Sequence, residues 1–269
     1  MPLDVTNSLL AIVDDLLTKK INRGQANNKM DSLSLKVNHH KFARALGQLI
    51  TKLPNQPMEE DFGEAELCSR FVEPFLSGLF DDPDNGVYLR WTNEATLETK
   101  FMFKSNGRPD LCITKSCGVK WATNVGYGEA KPASKDQDNH LICWDLLKVT
   151  IFCKEALDSQ QMEGILGVQI IGRTIKFYVM TLPAKGLYTL IDLAVIKIPD
   201  SLQNFPGFVT EVANVTKVLD VFDRVCVPAK DVATTRSRRS STLSMSMFHQ
   251  LFTSAKDRKK PCHLKLRHN

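Results

Sequence analysis

The hexapeptide DDPDNG at residues 81–86 divides the chain into two regimes of apolar spacing. Proline, glycine, asparagine and aspartates in a row form a turn that neither helix nor strand runs through. Before it, apolar residues recur at helical intervals, in 3–19, in about 35–53 (Val37, Phe42, Leu46, Ile50) and in about 59–80 (Leu67, Phe71, Phe75, Leu79). Pro74 lies inside the third stretch and must kink or divide it, because it lacks a backbone donor. The polar segment 20–34, with Gly24 and two asparagines, reads as a loop.

After the turn the pattern shortens to strand-like runs at 87–98, 108–115 and 123–131, separated by SNG and SCG. A long helix over about 138–159 follows, expected to bury Leu141, Trp144, Leu147, Ile151 and Phe152. Three more strand-like runs cover 165–172, 174–183 and 186–199, and a last helix is expected over 208–225. Helix, three strands, helix and further strands predict an α/β (α+β) chain: one central mixed sheet flanked by helices. The expected division is a helical N-terminal extension (1–58), a core (59–227) and a disordered tail (228–269). Trp91, Trp121 and Trp144 have apolar neighbours and are expected as core anchors.

Composition removes several classes of function. No apolar run approaches the ~20 residues that span a bilayer. The opening MPLDVTNSLLAIVDDLL carries acids where a secretory leader needs Lys or Arg. Seven scattered cysteines suit a reducing compartment, so the expectation is an intracellular protein. No phosphate-cradling glycine loop is present, and no His near a Ser or Cys has the surroundings of a nucleophile's base. The net charge of +5 is uneven: residues 228–269 hold ten Lys or Arg against two acids, leaving the body slightly acidic. Arg236, Arg238, Arg239, Lys259 and Lys260 in that tail are candidate contacts to nucleic-acid phosphates, or a nuclear-import patch.

Two segments carry chemistry: Gly107-Arg108-Pro109-Asp110-Leu111 and Gly128-Glu129-Ala130-Lys131-Pro132. Glu129 and Lys131 stand two apart on a strand, so both project from one face while Ala130 faces the other way. If the two strands are neighbours, Asp110 and Glu129 converge, and paired carboxylates suit a hard cation such as Mg²⁺. Lys131 would orient a water or stabilise charge on phosphate. An isolated Glu-x-Lys is usually no more than an ion pair.

Here Pro-Asp, eighteen intervening residues and then Glu-Ala-Lys, with a helix on either side, resembles the PD-(D/E)XK, or restriction-endonuclease-like, nuclease superfamily. Residues 63–76 (GEAELCSRFVEPFL) are similar to the helix opening the nuclease domain of type I restriction subunits, with Gly63 replacing a hydroxyl residue. The resemblance covers roughly residues 63–160. It implies a metal-dependent nuclease, using Mg²⁺ or Mn²⁺, with DNA favoured over RNA. It implies Asp110, Glu129 and Lys131 as catalytic residues and Glu64, Asp110 and Glu129 as metal ligands. Glu66 and Glu73 stay open as substitutes for Glu64. In related nucleases the following helix often supplies a polar residue, here Lys148 or Asp145, and Arg108 is a candidate phosphate contact. The whole chain also resembles multi-copy fungal proteins, a likeness that brings no activity with it. Two other readings remain: an inactive nuclease fold that binds nucleic acid or a protein, and an interaction protein in which these segments are structural ion pairs.

Overall fold

The computed structural model describes residues 3–59, 62–92, 94–97, 108–243, 247 and 250. The chain is a mixed α/β structure around one open six-stranded sheet in sequential order: β1 (Val87–Trp91), β2 (Leu111–Cys117), β3 (Lys120–Lys131), β4 (Gly164–Ile171), β5 (Thr174–Ala184) and β6 (Leu187–Lys197). All neighbours are antiparallel except the central pair β3 and β4, which run parallel. A parallel pair needs a long crossover, here made by α6 (Asn139–Gln160). Gly167 of β4 lies under Val149 and Cys153 of α6, which identifies the sheet face that this helix covers. Residues 127, 129 and 131 of β3 pair with 167, 169 and 171 and so share that face.

The opposite face packs against α5 (Glu73–Phe80) and α8 (Val212–Val225), with α3 (Val37–Lys52) and α7 (Phe205–Val209) packed behind them. Phe80 links them, with its ring 6.3 Å from Phe177 of β5 and 5.1 Å from Phe222 of α8. One apolar core runs from Leu9 in α1 (Leu3–Leu17) to Cys226, so the N-terminal helices belong to it and are not an appended extension. The closest approach is between α3 and α5: a Cβ on Gly78 would stand 2.3 Å from Ala45 Cα and 2.7 Å from Ala45 Cβ. Arg44 of α3 reinforces this crossing by donating to the carbonyls of Gly78 and Asp81 at the end of α5. Gly78→Ala is therefore expected to destabilise the fold by about 3 kcal/mol, the upper end of the overpacking range. A urea midpoint equal to wild type would contradict that packing.

Several expectations change. Residues 20–34 are not a loop throughout, because Asn22 and Gln25 form a reciprocal capping box that starts α2 (Arg23–Asp31). The helix expected over 59–80 begins only at Glu64, as α4 (Glu64–Leu67), and widens into a π-turn at Cys68–Val72 before α5. The wide turn, closed by Glu73 N–H to Cys68 O, precedes Pro74, so the missing donor falls in the first turn of α5. On α6 Ile151 and Phe152 are buried as expected, together with Asp145, Val149, Cys153, Ala156 and Leu157, whereas Leu141, Trp144 and Leu147 are only half-buried. Trp91 is likewise half-buried. Trp121 is exposed, with the Arg90 guanidinium 4.3 Å above its ring, so it is no core anchor.

The expected disorder from residue 228 does not hold for its first part. Residues 232–238 form α9 (Val232–Arg238), started by Asp231, whose side chain caps Thr234 N–H. Arg238 O accepts from Gly186 N–H at 2.7 Å, and Lys154 donates to Ser240 O at 2.7 Å and Thr242 Oγ1 at 2.8 Å. Arg239 turns towards Asp158 at 3.9 Å, while Arg236 is exposed. Lys259 and Lys260 lie outside the described residues. Among the described residues no helix is long and apolar enough to cross a membrane.

Candidate active site

The site is built where β2 begins and β3 ends. Asp110 immediately precedes β2, its N–H donating to Gly128 O at 3.1 Å and its Oδ2 accepting from Ala130 N–H at 2.9 Å. Both bonds clamp the carboxylate against β3. Gly128 permits the close spacing: a Cβ there would lie 2.8 Å from Val168 O and 2.9 Å from Leu111 Cγ. Strand alternation then turns Glu129 to the α6 side, flanked by Tyr127 and Lys131. One helical turn of α6 contributes Asp145 and Lys148, three residues apart and therefore neighbours.

These five side chains meet. Lys131 Nζ is 3.6 Å from Asp110 Oδ2, 3.6 Å from Asp145 Oδ2 and 3.8 Å from Glu129 Oε2. Lys148 Nζ is 2.7 Å from Glu129 Oε2 and 3.8 Å from Asp145 Oδ1. Side-chain exposure falls from 31% at Asp110, through 25% at Lys148 and 20% at Lys131, to 4% at Asp145 and 1% at Glu129. Glu129 thus forms the floor, and Asp110, Lys131 and Lys148 face the opening.

The electrostatics follow from this burial. Desolvation, followed by the Asp110 charge, raises the Glu129 carboxyl to about 7 despite the Lys148 hydrogen bond. Desolvation also raises Asp145, with Lys131 and Lys148 opposing. For Lys131, burial by itself would lower the ammonium, but Asp110, Asp145, Glu129 and Glu64 together hold it above its ordinary value. Glu64, exposed on the first turn of α4, is thus near enough for its charge to act at Lys131. The Cys68 thiol is pushed up to about 12, first by burial and then by Glu64 and Asp110. Glu66 is instead engaged by Arg70 at 2.8 Å, and Glu73 is half-buried in α5.

The structure brings together Asp110, Glu129, Lys131 and Lys148, with Asp145 beside Lys148 and Glu64 at electrostatic range. Arg108 is exposed at the approach to Asp110, and the tail arginines belong to the α9 segment. Sequence reasoning did not single out Gln169. It is buried, pairs in register with Glu129, and donates to Ile142 O at 2.8 Å, tying α6 to β4. Its one signal is a single amide within the apolar run ILGVQIIG.

Two observations bear on a metal ion and point different ways. Among the described residues no three His, Cys, Asp or Glu side chains close into a metal-holding group, since Lys131 and Lys148 stand between the acids. Yet Glu129 Oε1 and Asp145 Oδ2 are buried without a hydrogen-bond partner, although the groups they belong to are expensive to leave uncompensated. The second carries more weight, because lysine side chains move easily and buried carboxylate oxygens do not. The donors therefore fit a hard cation. The chain matches no protein-family model, no curated protein and no solved structure, so its site is read from its own geometry.

Proposed function

We propose that this chain is a metal-dependent phosphodiesterase acting on nucleic acid, with DNA as its first candidate substrate and a restriction-endonuclease-like core. The observation that carries the reading is the convergence of Asp110, Glu129 and Lys131 from two paired strands, with the buried oxygens Glu129 Oε1 and Asp145 Oδ2 lacking a hydrogen-bond partner. Asp110 and Glu129 would hold Mg²⁺ or Mn²⁺, with Glu64 completing the set from α4. When bound, such an ion supplies positive charge at the scissile phosphate and lowers the pKa of a coordinated water. Lys131, kept protonated by its carboxylate neighbours, positions that water and faces developing phosphate charge. Asp145 fixes Lys131 from the helix side, and the clamp on Asp110 sets its carboxylate before substrate arrives.

Purified full-length protein is expected to cleave nucleic acid, supplied both as plasmid and as oligonucleotide, in Mg²⁺ or Mn²⁺, and to stop on EDTA addition. No cleavage with either ion over a wide range of pH would overturn the reading. A second reading, a nuclease-like fold that binds without cutting, is favoured by the 2.7 Å Lys148–Glu129 pair, which satisfies one carboxylate oxygen with a side chain. Calorimetry separates the two: the active-site reading requires Mn²⁺ binding that is lost in Glu129→Gln.

A further inference from the structure

The α6 side of the sheet continues beyond the carboxylates. Glu129 of β3 pairs with Gln169 of β4, and Gln169 with Lys176 of β5. With strands about 4.8 Å apart, the Lys176 Cα lies roughly 10 Å from that of Glu129, in the same row. Beside this row opens a cavity of about 600 Å³, walled by Met58, Phe62, Ile142, Arg173, Lys176 and Lys197. It adjoins the site through the chain itself: Ile142 is one turn before Asp145 on α6, and its carbonyl holds Gln169.

The walls of this cavity differ in character. Arg173 is committed to structure, donating to Ile198 O at 2.5 Å and pairing with Asp200 at 3.2 Å. Lys176 and Lys197 make no ion pair among the described residues, and Asp136 is the remaining acid of the lining. Met58, also in the lining, is 54% exposed, and Phe62 is half-buried at the edge of the core, its ring 5.0 Å from that of Phe71. Lysines without an ion pair and partly exposed apolar side chains lining one cavity, of the size that holds small molecules, match a nucleotide: phosphate on the lysines, ring on the apolar groups.

We propose that this cavity receives the nucleotide flanking the cleaved bond, with Lys176 and Lys197 on its phosphate and Met58 and Phe62 against its base. The substrate is therefore single-stranded nucleic acid, because a base paired and stacked in a duplex cannot lay its face on Met58 and Phe62 whereas an unstacked one can. This rests on the nuclease reading for where the scissile phosphate lies. The row from Glu129 to Lys176 then spans the distance to a phosphate one or two nucleotides along an extended strand.

The test is binding in EDTA, where nothing is cut, so a protein that never cleaves still reports on this cavity. Full-length protein is titrated into fluorescein-labelled oligothymidylate and into a hairpin duplex of equal length, with anisotropy as the readout. Wild type is expected to prefer the single strand. Lys176→Glu with Lys197→Glu should weaken single-strand binding at least about tenfold. The slope of log affinity against log salt should also fall by about 0.7, for the one phosphate that is no longer neutralised. Lys120→Glu with Lys185→Glu, exposed lysines away from the cavity and the same change in charge, should shift affinity less than about threefold. Met58→Ala should weaken thymidylate but not an abasic strand. Equal effects of the two double variants, or tighter binding of duplex than of single strand, would overturn the proposal.

Discussion

Alanine at Asp110, Glu129 or Lys131 is expected to reduce Mg²⁺-supported cleavage at least about 10²–10³-fold each, the loss typical of removing one preorganised charge from a water-poor site. The three should fail for different reasons. Asp110 is held by two backbone bonds to β3, so Asp110→Asn keeps the shape and removes a ligand charge; Mn²⁺ affinity and rate should fall together. Lys131→Ala leaves the carboxylates in place and makes the site more negative, so Mn²⁺ binding should hold or tighten while the rate collapses. Combining two substitutions should cost far less than the product of the single effects, because residues acting as a unit are not additive. Single-turnover cleavage alongside Mn²⁺ calorimetry reads all three outcomes. Lys131→Ala retaining more than a tenth of wild-type rate would remove Lys131 from the catalytic set.

The site was legible in the sequence because its parts obey local rules. Glu129 and Lys131 are two apart on a strand, which puts them on one face whatever the tertiary fold, and Pro109 fixes how Asp110 enters β2. That β2 and β3 are adjacent was only a condition of the sequence reading, and the antiparallel register between them meets it. Asp145 and Lys148 were harder to read: a buried acid in the stripe of α6 and a half-buried lysine at its edge disguise its period and shifted the expected face towards Leu141, Trp144 and Leu147. The helix begun by the capping box at Asn22 and Gln25 was hidden by the polarity of 20–34, where only Ala26 and Met30 are buried. Docking of 228–243 was not legible at all, since it depends on Lys154, Asp158 and Tyr188 from distant elements, among them Tyr188 O–H to Asp158 at 2.8 Å. Gln169 and Lys176 acquire meaning only through the register across β3, β4 and β5.

Glu129→Gln should make the protein more stable at pH 8 while abolishing Mn²⁺ binding. The carboxyl titrates near 7 in the fold against an ordinary value of 4.5, so the folded chain holds this proton more tightly than the unfolded chain. Stability associated with that proton is fully present below pH 4.5, declines as pH rises, and is gone above about pH 7. A difference of that size, for a side chain with 1% exposure, corresponds to about 3 kcal/mol against the wild type at pH 8. Glutamine keeps the shape and removes the ionisation, so the gain should be present at pH 8 and vanish near pH 4.5. At about 2–4 °C per kcal/mol for a domain of this size, Tm should rise by roughly 6–12 °C at most. Losing the carboxylate leaves Lys148 without its nearest partner, which reduces the gain, though its 25% exposure lets the ammonium turn to water. Asp145 is shifted in the same direction and remains in both proteins, so the diagnostic quantity is the difference between them, measured by urea unfolding at pH 5 and pH 8. Saturating Mn²⁺ should then stabilise the wild type and leave Glu129→Gln unmoved, because only a ligand that binds the folded state raises its stability. A variant less stable than wild type at pH 8, or one equally stabilised by Mn²⁺, would mean that Glu129 serves the fold as the partner of Lys148 and does not bind an ion.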